Sequence, residues 1–220
     1  MSEEIRPSFS KAYAAANDYL ASSSVIAGFP FSVKELVKEK TPYVCRSYKK
    51  AHEYGVDIEA LGSESAIITT LGSRSVIFYD ETKPESHINF SILHELGHKL
   101  LQHDSRDKRK ESYDRYEIET NYFAAQLLMP EQLLREMQRR GVQITKSLLQ
   151  SKFGVSAAAA DKRIATLAKT NADWRSRAEK EFDDIVIYKY SEFLNRNAPV
   201  RDEYDYEEEF ERQRERDSWY

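Results

Sequence analysis

Two histidines one helical turn apart, with a glutamate beside the first, constrain this chain more than any other stretch: His94-Glu95-Leu96-Gly97-His98. The surrounding residues, 86–103, carry apolar side chains at Ile88, Ile92, Leu93, Leu96 and Leu100, a spacing that predicts a helix. At about 100° per residue the two imidazoles lie about 40° apart and one turn along, so both can reach a single ion. Glu95 points about 60–100° to their side, where a carboxylate can take a proton from water without binding the metal. With 5 His and 24 Glu in 220 residues, chance supplies roughly 0.01 such matches. An accidental pair on an ordinary helix is therefore the weaker reading.

A catalytic zinc site needs a third protein ligand and an open fourth position. Glu117 and Glu119 compete for that role on the next predicted helix, 115–129. With Glu117 at 0°, Asn121 falls at about 40°, Ala124 at about 340° and Leu128 at about 20°, a small and apolar face suited to packing on the metal helix. Glu119 falls at about 200°, among Tyr122, Phe123 and Gln126. The pattern favours Glu117 as ligand, with Asn121 one turn on as hydrogen-bond partner of an imidazole. Asp104 and Asp114 remain alternatives for the third ligand. A His₂Glu set suits Zn²⁺ and also tolerates Mn²⁺.

The rest of the chain predicts a mostly helical α+β fold with a small β-sheet or hairpin. Helices are expected over 8–20, 32–40 (capped by Ser32) and 43–54 (stopped by Gly55). The β-branched runs 65–70 and 75–79 read as a hairpin. Pro130 opens a helix to Arg140, and two short helices, 145–153 and 157–169, flank the turn Gly154-Val155-Ser156. A final helix over 173–194 is expected, with a strand through 185–188 as the alternative. Residues 201–220 hold nine acids against four arginines, a net of −5 in a chain of −4, so the first 200 residues stand near +1. That balance excludes strong non-specific DNA binding, and the acidic tail, 199–220, reads as solvated or disordered. The single cysteine, Cys45, excludes an internal disulfide and reads as a small buried hydrophobe on a helix. Neither a membrane span nor a signal-peptide order of charges is evident, so a soluble, cytoplasmic protein is expected.

The motif HELGH, followed by Glu117-Ile-Glu-Thr-Asn121-Tyr-Phe-Ala-Ala-Gln-Leu-Leu-Met-Pro130, resembles the ImmA/IrrE family of metallo-endopeptidases. Asn89-Phe90 and His103 fit the same pattern. The likeness is strong over 86–130, looser over 66–80 and 144–168, and absent in the tail. It implies zinc ligation by His94, His98 and Glu117, with Glu95 as the general base. The implied fold is a zincin-like core over 1–141, followed by a helical, helix-turn-helix-like part over 142–198. As members of that family cut helix-turn-helix repressors of mobile elements or stress genes, the implied partner is such a repressor. Some members belong to toxin–antitoxin-type pairs, which leaves a non-proteolytic binding partner as the alternative.

On this reading Glu95 takes the proton of water activated by zinc and delivers it to the leaving amine. An edge strand, 75–79, is a candidate for holding an extended substrate. Tyr113, Tyr116 and His103 are candidates for stabilising the oxyanion, while His52 and His87 read as surface or capping residues. A DNA-reading role for 157–169 is disfavoured, because Ala157-Ala158-Ala159-Ala160 offers no hydrogen bonds to base edges. Lys162 and Arg163 alone remain to touch phosphate. The basic run 106–110 reads as a solvated cluster able to steer an acidic partner.

Overall fold

A computed structural model describes residues 7–58, 65–103, 113–171, 175–200 and 214 of the chain. The basic run 106–110, Asp104 and nearly all of the acidic tail lie outside the described residues. Two helices come first, α1 (Phe9–Ser22) and α2 (Val33–Lys40). Ser32 caps α2, its Oγ accepting from the Glu35 amide. The expected helix over 43–54 is instead a strand, β1 (Val44–Ser47), running into a 3₁₀ helix (Tyr48–Tyr54) that stops at left-handed Gly55. Cys45 consequently sits on a strand, half-buried, and burial pushes its thiol up to about 11.

The hairpin forms as expected, with β2 at Ala66–Leu71 and β3 at Arg74–Tyr79 paired antiparallel. β1 pairs parallel to β3 in the register Val44↔Val76 to Ser47↔Tyr79, so the order is β1-β3-β2. This corrects the edge assignment: β3 is central, and β2 is the edge strand on the side of the metal helix. Pleat alternation accounts for the uninterrupted apolar run of β3, since both its faces are covered. Ile77 joins the main helical core, whereas Val76 and Phe78 pack with Ala51 under the 3₁₀ helix.

The helices α3 (Glu85–Leu100) and α4 (Tyr113–Leu128) follow, packed against each other, with α1 on another side of α4. Pro130 leads into α5 (Glu131–Arg139). Beyond it lie α6 (Lys146–Phe153) and α7 (Ala157–Leu167), capped by Thr145 and Ser156 and separated by the left-handed Gly154. The expected last helix is two helices, α8 (Arg177–Lys189) and α9 (Ser191–Asn197), broken at Tyr190, and 185–188 is helical. Tyr190 is buried and its hydroxyl donates to the carbonyls of Leu20 and Ile26, which fixes the break against the end of α1. No helix among the described residues is long and apolar enough to cross a membrane.

Arg163 corrects one expectation for α7. It is 2 % exposed, its Nε donating to the Met129 carbonyl and its Nη2 to Gln126 Oε1, so it is not available to phosphate. The guanidinium ties α7 to the junction between α4 and α5.

Candidate metal centre

Helix α3 turns His94 and His98 to one side, and α4 brings Glu117 up to them. His94 Nε2 lies 3.0 Å from His98 Nε2, and both lie 3.3 Å from oxygens of Glu117. Donors at about 2.0–2.2 Å around a tetrahedral zinc ion stand about 3.3 Å apart. The three side chains thus hold nearly the separations that an ion would impose, and their chemistry, two imidazoles and a carboxylate, fits zinc or a similar divalent cation. Glu119, Asp114 and Glu95 are not in this group among the described residues.

Close approach of the two helices depends on Gly97. A Cβ there would meet Phe123 Cδ1 at 3.1 Å and Thr120 Cγ2 at 3.3 Å. Glu117 stands one turn before Thr120, so a side chain at 97 would press on the segment of helix that carries the third donor.

Each imidazole is held from behind. Asn121 Oδ1 lies 3.1 Å from His94 Nδ1. Accepting a proton there leaves Nε2, which faces the other donors, as the nitrogen able to offer a lone pair to an ion. His98 Nδ1 faces His103 Nδ1 at 3.4 Å. The electrostatics match: hydrogen bonds from His94 and His98 hold Glu117 well below the ordinary carboxylate range. Burial pulls His94 down, but the hydrogen bond and charge of Glu117, the charge of Glu95 and the hydrogen bond to Asn121 together outweigh it, and the net shift is upward.

Glu95 lies on the same helix and outside the converging trio. Its Oε2 accepts the amide of Ile68 on β2 at 3.1 Å, which ties the carboxylate to the edge strand. Beside Asn121 opens a cleft of about 900 Å³, with Phe90, Ile118 and Tyr122 on one wall and Ala158, Ala159 and Lys162 on the other. The alanines that disfavour base reading therefore line this cleft.

His103 is not placed to stabilise an oxyanion. It is buried, its Nε2 donating to Glu119 Oε2 at 2.8 Å, and its ring stacks on Tyr116 with centroids 4.2 Å apart. His87 meets Ser65 Oγ at 2.7 Å, and His52 is exposed on the 3₁₀ helix. Glu119 is the residue that sequence reasoning set aside as a ligand without finding its use. Its signal was its position on the Phe123 and Gln126 face of α4, which α1 buries.

No curated protein matches the chain. Among protein families, the IrrE N-terminal-like domain of Peptidase_M78 matches residues 44–165, more than half of the 220 residues and all of the elements that build the centre. With HELGH, Glu117 and Asn121 inside that match and in mutual contact, the chain belongs to the Peptidase_M78 family, the metallopeptidases with an IrrE N-terminal-like domain.

Proposed function

We propose that this chain is a zinc-dependent endopeptidase that makes limited, site-specific cuts in a protein, with a helix-turn-helix repressor as its substrate. The observation that carries the reading is the meeting of His94, His98 and Glu117 within one ion's reach, with Glu95 on the same helix but outside the trio. When bound, the ion supplies Lewis acidity, lowering the pKa of water toward neutrality and polarising a carbonyl. Glu95 accepts the proton of the attacking water and passes it to the leaving amine. The Ile68 amide fixes one oxygen of that carboxylate, so its orientation is set before substrate arrives. Asn121 keeps the lone pair of His94 turned inward.

The outer edge of β2 borders Glu95, and an extended segment of substrate adds to it as a further strand. The cleft beside Asn121, with apolar residues on both walls and Lys162 among them, accommodates flanking side chains.

The test is co-expression of the chain with a candidate repressor, preferably one encoded nearby. Full-length repressor is expected to disappear with wild type and to survive with Glu95→Gln, and the purified chain is expected to hold about one zinc. Intact repressor in both cultures, in stable complex with the chain, would instead favour the non-proteolytic, toxin–antitoxin-type partner.

A further inference from the structure

We infer that His103 and Glu119 are positioning residues of the metal centre, a two-residue relay that fixes the orientation and tautomer of His98. The inference rests on the metal site proposed above and adds residues to it. Its geometry runs outward from His98. Nε2 faces His94 and Glu117, so it is the nitrogen that would bind an ion, and in that state the remaining proton sits on Nδ1. The Nδ1–H points to His103 Nδ1 at 3.4 Å, which must then accept, leaving the His103 proton on Nε2. That proton meets Glu119 Oε2 at 2.8 Å, and Glu119 Oε1 accepts the main-chain amide of Ser8 at 2.7 Å. With His98 Nε2 given over to an ion, every donor in the relay meets an acceptor.

The backbone is bent to make this contact. Gln102 has φ +59°, the single non-glycine residue with positive φ among those described. It closes a turn in which the Gln102 amide donates to the Lys99 carbonyl and the His103 amide to the His98 carbonyl. This is the Schellman arrangement, whose left-handed position glycine usually fills. The turn folds His103 back over the helix that carries His98. Tyr116 then stacks on the imidazole, with the Arg115 guanidinium 4.9 Å from the Tyr116 ring. Glu119 and His103 side chains are 5 % and 3 % exposed. The buried Glu119 carboxylate is joined to a histidine and an amide, with the Arg115 Nε 3.7 Å from its Oε1.

The experiment measures Zn²⁺ affinity by competition with a chromophoric chelator, and the visible spectrum of the Co²⁺-loaded protein as a report of geometry. His103→Phe keeps a ring against Tyr116 but removes the acceptor, and its Zn²⁺ affinity is expected to fall about 10- to 100-fold with an altered Co²⁺ spectrum. His103→Asn restores an acceptor near the Nδ1 position and is expected to recover most of that loss. If His103→Phe binds Zn²⁺ within about twofold of wild type with an unchanged spectrum, or if Phe and Asn lose affinity equally, the inference is overturned. Should His103→Phe not fold, Glu119→Gln decides: a loss of at least about threefold supports the relay and unchanged affinity overturns it. Failure of the metal site itself is distinguishable, because wild type and Glu117→Gln would then both lack stoichiometric Zn²⁺.

Discussion

Glu117 and His94 perturb each other in opposite directions, which makes metal binding a proton competition. His94 stands above its ordinary 6.5 because Glu117, Glu95 and Asn121 together outweigh burial, and Glu117 stands below its ordinary 4.5. Zn²⁺ needs the unprotonated imidazole, so apparent affinity is expected to climb with pH through the raised His94 value and level off above it. Without metal the sign is different. The depressed Glu117 contributes stability above pH 4.5 that fades as pH falls below it, and the raised His94 contributes stability below 6.5 that fades as pH rises beyond. The stability difference between metal-free wild type and Glu117→Gln is therefore expected to peak between those values in thermal melts across pH. At this scale much was legible in the sequence. A four-residue spacing on a helix settles which side chains share a face, and that local rule brought His94, His98 and Asn121 into view. Glu119 was not legible, because a helical wheel gives a direction but not what fills it, and α1 comes from about 110 residues earlier.

At the scale of elements, the contact between α3 and α4 and the turn after α3 each have a single-residue test. Gly97→Ala pushes a methyl into Phe123 and Thr120. It is expected to cost about 1–3 kcal/mol of stability and to weaken Zn²⁺ binding, read by thermal unfolding and chelator competition. Gln102→Gly relieves a left-handed backbone and is expected to stabilise by about 0.5–1 kcal/mol while Zn²⁺ affinity stays unchanged. Helices were readable from periodicity and, for α2, from the Ser32 cap, whereas Thr145 and Ser156 emerge as caps only in the structure. β1 was not. Val44–Ser47 is four residues long, and only its parallel pairing with β3, about thirty positions later, makes it a strand. The same pairing puts β3 in the middle of the sheet, a place that its local sequence shares with any apolar edge. Tyr190 breaks the last helix through hydroxyl contacts to the end of α1, again a distant partner.

For the whole molecule, one buried polar assembly unites the two ends of the chain. Arg163 of α7 reaches Met129 and Gln126, Gln126 and Gln132 share Asn17 of α1, and Arg175 joins Glu131 to Asp183, which Tyr13 also meets. Arg163→Ala would leave these acceptors buried without their cation, and a loss of about 3 kcal/mol or more is expected in denaturant unfolding. Lys162→Ala, one residue away and exposed, is expected to stay within about 0.5 kcal/mol. Residue type alone could not separate the two neighbours, since both read as cations able to touch phosphate from the same helix. The Ser8 amide bonded to Glu119 crosses 111 positions of sequence. During synthesis on the ribosome, the first helix must therefore wait, undocked, until α4 has emerged before the support behind His98 can close. On the metal site proposed above, ion capture at full strength is then a late event in the life of the nascent chain.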